Sequence, residues 1–245
     1  FKRHTKGCSP TPDGERMYLM ATELLLHADS IKQQFAPEKA TQTITLSVDK
    51  TIRISTLERL ISNSNQKSPT IQFEIISASL SEQSEPQIGD GKKADIRLTT
   101  KQKCHKSEVF FSLALEEYAL LIPNNNLLAY QKKMSLKDLH EQNVIERIYC
   151  ENQALFDQAV QQLGVKLNTV AKVESEEWAH ALVGSGLGIT FAPLPKSFTD
   201  PRFTVRFLSE CFSITTPKRE IGLAFQKSKM AKYESILPSM TVGET

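Results

Sequence analysis

From Thr43 onward the chain alternates short β-patterned runs with helical ones, and this alternation constrains the fold more than any other feature. ITLSV (44–48), IQFEIIS (71–77) and ADIRLT (94–99) read as strands, being rich in β-branched residues. Helical patterns over 51–65 and, more briefly, 81–89 separate them. LALEEYALLIP (113–123) alternates and stops at Pro123, and 135–142 reads as a short capped helix. Then come a strand at 144–150, a helix at 152–164 stopped by Gly164, a strand at 168–173, a helix at 175–186 and a strand at 188–193. A strand at 220–225 and a last helix near 228–236 close the series. Strands and helices in this order predict an α/β fold with parallel sheets and helices on their faces.

The first part of the chain is different. Its opening twelve residues are mostly polar, with Lys2, Arg3 and Lys6 close together and prolines at 10 and 12. PDGERMYLMATELLLHADSIKQQF then places Met17, Met20, Leu24, Ala28 and Ile31 on one stripe. Asp13 is the expected N-cap, and Pro37 the expected stop. A helix with such a stripe packs on the body or pairs with a copy of itself. With neither an initial Met nor an apolar leader, the sequence reads as a piece of a longer chain.

Composition excludes several classes. The formal net charge is +2, from 30 Lys and Arg against 28 Asp and Glu, so no global field favours nucleic acid or membrane. No run approaches the length of an apolar membrane span. The four cysteines (8, 104, 150 and 211) form no CxxC, and the five histidines form no HxxxH, so neither a metal site nor a cofactor is expected. Scattered thiols without an export signal point to the cytoplasm.

VGSGLGITFAPLP (183–195) tests the enzyme readings. Gly184, Gly186 and Gly188 are spaced GxGxG between a helix and a strand, not GxGxxG between a strand and a helix. Ser185 lies between Val183 and Leu187, so no nucleophile elbow is present. The stretch reads as a tight turn, with Gly184 or Gly186 ending the helix and Gly188 letting the strand start close to its neighbour. No nucleophile–base pair or metal set supports catalysis, so no enzyme is expected.

The same stretch resembles the segment hALVaaGLGIaxxP of LysR-type transcriptional regulators. LFDQAVQQLGVKLNTVAKVES, YALLIPNNNLLA, SLKDLHEQNVI and ADIRL are similar to further segments of that family, in the family's order. The start, FKRHTKGCSPTPDGERMYLMA, resembles LFxRxxxgvxLTxAGexll, although Pro10 and Asp13 replace its Leu and Ala. The resemblance spans essentially the whole chain. It implies a wing remnant of a winged helix-turn-helix at 1–13 and a dimerising linker helix at 14–36. A regulatory domain would follow, of periplasmic-binding-protein type 2, with two Rossmann-like lobes joined by two crossover strands. Lobe I would be 43–118 plus 222–240, and lobe II 119–221. A solute-binding protein of a transporter is the rival on the same architecture.

The resemblance also implies a small-molecule effector between the lobes, DNA contact through the full-length protein, and a homodimer or homotetramer. Four loops should line the cleft. They bring Asp49, Lys50 and Thr51; Thr99 and Thr100; Cys150, Glu151 and Asn152; and Ser175, with Gly186 added. Thr51 either meets the effector or caps the next helix, and Asp49 would disfavour carboxylates or favour an amine. Lys2, Arg3 and Lys6 would touch DNA phosphates. Cys150 lies where peroxide-sensing relatives carry a reactive cysteine, so thiol sensing is a further alternative, although Gln158 and Ala159 stand where the partner thiol would be. The lone Trp178 reads as core.

Overall fold

The computed structural model describes residues 2–4, 7–18, 20–21, 24, 42–78, 94–211, 218–234 and 236–240. The chain divides into two compact units, Phe1–Thr41 and Gln42–Thr245.

In the first unit, β1 (Lys2–His4) and β2 (Gly7–Ser9) form an antiparallel hairpin, with Lys2 opposite Ser9 and Arg3 opposite Cys8. Lys6 lies outside the described residues. Helical residues follow from 12 to 18 and at 20, 21 and 24. The expected cap at Asp13 is replaced by Thr11, whose hydroxyl oxygen accepts from the Gly14 N–H at 3.2 Å. Pro12 supplies the reason: it has no N–H to satisfy and its fixed φ suits the first helical position, which moves the cap one residue upstream. Met17, Met20 and Leu24 are exposed, while Ala28, Ile31 and the expected stop at Pro37 lie outside the described residues.

The second unit is a mixed α/β structure. β3 (Gln42–Val48) pairs in parallel with β4 (Ile71–Ser77) through helix α1 (Ile54–Lys67), and also with β5 (Ile96–Thr100). The helical stretch expected at 81–89 lies outside the described residues. β6 (Glu108–Pro123) is longer than the alternating run suggested, and it ties the unit together. From Glu108 to Glu116 it pairs antiparallel with β11 (Arg219–Gln226), which pairs onward to β5. From Glu117 to Pro123 its partners are β9 (Thr190–Leu194) and β10 (Phe203–Phe207), again antiparallel. The expectation of parallel sheets holds for β3 with β4 and β5, and is corrected at the centre, where β6 runs antiparallel to three strands distant from it in sequence.

A second parallel pair, β7 (Asn143–Arg147) and β8 (Asn168–Val173), is joined through α2 (Gln153–Gln162). It connects to the rest by the Val144–Ile189 bridge. α3 (Glu176–Gly184) leads into β9. The segment expected as a helix at 135–142 is a single 3-10 turn, Leu136–Leu139, closed by a Ser135–Asp138 capping box. The last expected helix is broken into a 3-10 turn (Lys227–Lys229) and two short helices, Met230–Tyr233 and Leu237–Met240.

The cores follow the two halves of β6. Ile44, Leu46, Ile96, Leu98, Leu223 and Phe225 pack around Leu60 and Tyr233 on one side. On the other, Tyr118 and Phe156 sandwich Phe191, with ring centroids 4.8 and 4.7 Å apart. Each such stack contributes about 0.5–1.5 kcal/mol beyond burial.

The glycine turn is built as its spacing suggested. α3 ends at Gly184, Gly186 takes φ +85°, and Gly188 lies against β7. A Cβ at Gly188 would come within 2.6 Å of the Asn143 carbonyl oxygen, which itself accepts from the Ile189 N–H at 2.8 Å. Gly188→Ala should therefore cost about 1–3 kcal/mol. Urea unfolding would show this as a lower midpoint at unchanged slope, and an unchanged midpoint would contradict the close approach.

Candidate functional site

The carboxyl ends of β3, β5 and β7 meet the N-terminal end of α3 beside the point where β6 changes partners. Seven of the ten expected effector residues lie in the loops gathered there. Asp49 turns back so that its carboxylate accepts from the Thr51 N–H (3.0 Å) and hydroxyl (2.9 Å), and it also binds Lys103 at 2.8 Å. Burial raises the Asp49 pKa, but Lys103 and the Thr51 bonds outweigh it and the net shift is downward. Lys50 binds Glu174 across the cleft at 2.6 Å. Thr51 does not cap α1; the residue before that helix is Arg53, which makes no capping bond. Ser175 does cap α3, accepting from the Glu177 N–H at 3.2 Å.

Register separates the other threonines. Thr100 stands opposite Ile221, which shares its face of β11 with Arg219. Thr99 stands opposite Gly222 and so turns to the other side of the sheet. Both are buried, and neither hydroxyl has a hydrogen-bond partner. Gly186 is not brought to this place. It lines a separate polar depression of about 280 Å³ with Asn125, Glu141 and Gln142, because α3 carries its C-terminal turn away from the cleft. Cys150 is buried against Val160, Phe191 and their neighbours, and burial pushes its thiol pKa up. A peroxide-reactive thiolate needs the opposite shift. Trp178, expected in the core, is 61% exposed on α3.

The centre of the site consists of charged groups that the motif reading passed over. Glu116 of β6 is fully buried and accepts from Arg53 Nη2 at 2.8 Å and from Arg219 Nε at 2.8 Å. The Arg219 guanidinium also donates to the Thr51 carbonyl at 3.0 Å and lies 3.5 Å from Glu176 and 3.7 Å from Glu151. Arg147 of β7 bonds Glu176 directly and reaches the Phe191 carbonyl at 3.3 Å. Glu151 comes within 3.5 Å of both the Thr51 and the Tyr118 hydroxyls. One guanidinium thus touches groups from the loop after β3, from β6, from α3 and from the loop before α2. The sequence signal was present: Glu116, Arg147 and Arg219 interrupt or open apolar strand runs, where a charge is expensive unless paired.

Burial pushes the Glu176 carboxyl up to about 7, against the pull of Arg147 and Arg219. His180, one turn along α3, has its Nε2 3.8 Å from Glu176. Burial, helped by Arg53 and Arg147, lowers its pKa to about 4. Among the described residues no group of His, Cys, Asp and Glu is arranged to hold a metal ion, and no helix is long and apolar enough to cross a membrane.

Residues 37–232 match the family model for the LysR substrate binding domain, and the chain belongs to that family. No protein of curated function matches it in sequence. Solved structures share the fold. HinK, a LysR family transcriptional regulator from Pseudomonas aeruginosa, is 21% identical with a TM-score of 0.61, covering 94% of this chain and 80% of its own. Full-length OxyR from the same organism is 19% identical with a TM-score of 0.58, covering 98% and 83%. The CcmR regulatory domain of Synechocystis PCC6803, in complex with 2-PG, is 13% identical with a TM-score of 0.60, covering 83% and 100%. The chain therefore carries the two-lobed, periplasmic-binding-protein-like fold of a LysR effector-binding domain.

The buried charges can be tested in two ways. Glu116→Ala should cost about 3–5 kcal/mol, because it leaves Arg53 and Arg219 buried without their shared partner. Calorimetric melting would check this, and a loss under about 1 kcal/mol would contradict it. The second test concerns pH. Glu176 binds its proton more tightly folded than unfolded, so its stabilising contribution is present below pH 4.5 and is lost as the pH rises toward 7. His180 acts the other way: its contribution is present above pH 6.5 and is lost as the pH falls toward 4. The two oppose each other between pH 4.5 and 6.5. Glu176→Gln removes only the first, so its stability relative to the parent should rise with pH between 4.5 and 7. Urea unfolding across that range tests it, and parallel curves would count against the assignment.

Proposed function

We propose that this chain is the effector-responsive, oligomerising part of a LysR-type transcriptional regulator, and not an enzyme. Lobe I is 43–118 plus 222–240, lobe II is 119–221, and a small molecule binds between them. The observation that carries this reading is the convergence of three strand ends and the N-terminal end of α3 on Arg219, with cross-cleft bonds from Lys50 to Glu174 and from the Ile54 N–H to Glu177. In open α/β sheets, ligands bind beyond the carboxyl ends of strands. The CcmR regulatory domain, which shares this fold and is found in complex with the small molecule 2-PG, supports an effector-binding role.

An effector that makes different contacts with the open and closed lobes shifts their balance and so alters the spacing of the DNA-binding domains in the full-length protein. The stripe of Met17, Met20 and Leu24 pairs with a second copy, giving a homodimer or a tetramer built from it. Lys2 and Arg3 on the hairpin, with Lys6, contact DNA phosphates as the wing of the full-length protein.

Thermal-shift screening with small acids, amino acids and amines tests the cleft. A true effector raises the melting temperature with concentration. Thr51→Val and Thr100→Val should each weaken it about 5–20-fold, the loss of one or two buried hydrogen bonds. A ligand indifferent to both changes would place the site elsewhere. For oligomerisation, Leu24→Lys should shift the sedimentation coefficient toward that of a monomer, and an unchanged value would remove the helix from the interface.

A further inference from the structure

The charges of the cleft are nearly balanced, but its hydrogen bonding is not. Each of the three guanidinium groups has a close glutamate: Arg53 meets Glu116 at 2.8 Å, Arg219 meets Glu116 at 2.6 Å, and Arg147 bonds Glu176. At the mouth, Lys103 takes Asp49 at 2.8 Å and Lys50 takes Glu174 at 2.6 Å. Glu177 accepts only the Ile54 N–H here, at 2.8 Å.

Glu151 is the acid left over. Its side chain is only 7% exposed, yet its contacts are long: 3.5 Å to the Thr51 hydroxyl, 3.5 Å to the Tyr118 hydroxyl and 3.7 Å to Arg219. The single Thr51 proton has a better acceptor in Asp49, at 2.9 Å. A carboxylate buried this deeply ordinarily holds several short, charge-assisted bonds. A second, independent observation concerns the sheet face that carries Arg219, the cation nearest Glu151. The Thr100 hydroxyl, on the face of the sheet shared with Arg219, is buried without a partner.

We infer that the cleft takes a ligand bearing a protonated amine, held by Glu151, and that Glu151 sets this specificity against carboxylates. The inference rests on the cleft reading above. An ammonium group brings three donors and no acceptor, which suits Glu151 together with the open lone pairs of the Thr100 hydroxyl. An incoming carboxylate meets Glu151 as a like charge and must compete with the glutamate already paired to each guanidinium.

Titration calorimetry of the chain with butylamine and 1,4-diaminobutane, against butyrate and succinate, tests this directly. The expected result is that an amine binds and that Glu151→Gln weakens it at least tenfold, whereas Glu151→Asp, which keeps the charge, retains the preference for amines. Should Glu151→Gln unfold the chain, Glu151→Asp and Thr100→Val carry the test, each weakening the amine and neither admitting the acids. An amine indifferent to Glu151→Gln would overturn the inference. A carboxylate that binds the unaltered chain in preference to the amines, and is weakened by Thr51→Val, would overturn it while upholding the cleft. Absence of binding by either class, in the parent and in Glu151→Gln alike, would overturn both.

Discussion

The buried Glu116 carboxylate, shared between Arg53 and Arg219, is the interaction on which the rest of the structure depends. It sits at the position in β6 where pairing passes from β11 to β9 and β10. It draws Arg53 in from the loop before α1 and fixes Arg219 at the head of β11, and through Arg219 it reaches the Glu176–Arg147 pair. None of these groups would be tolerated alone in so dry a place. Together they offset one another, and they tie β6, β7, β11, α3 and the loop before α1 to one position.

Most of the strands were legible in the sequence because their apolar residues alternate or cluster in short runs. β4 and β8 were placed to the residue, 71–77 and 168–173. β10 went unrecognised although FTVRF alternates apolar and polar residues; the run is only five residues long, and its pairing with β6 comes from distant sequence. The break near the C-terminus has a local cause in Pro238, whose ring cannot enter the interior of a continuing helix.

The site was only partly legible. Loops could be ordered from the alternation of elements and from family resemblance, and that singled out Thr51, Thr100, Glu151 and Ser175 as candidates. What the sequence could not supply was which charges meet, since Glu116 and Arg219 are more than a hundred positions apart and Arg147 and Glu176 lie on different elements. Gly186 was misplaced for a related reason. α3 has one end at the cleft and the other at a different surface, so neighbours in sequence became strangers in space.

The continuity of β6 has a consequence for how this chain can vary. A single strand pairs with β11 along its first half and with β9 and β10 along its second, and the two halves differ in regularity. In the first half a bulge leaves Leu113 without an opposite number on β11, between Ser112 facing Gly222 and Ala114 facing Ile221. In the second half side chains alternate strictly, Tyr118, Leu120 and Ile122 entering one core and Ala119 and Leu121 another. One residue gained or lost there would exchange the two sets of side chains, whereas the bulged half has already absorbed an extra residue. The strand thus keeps its slack at one end and its precision at the other.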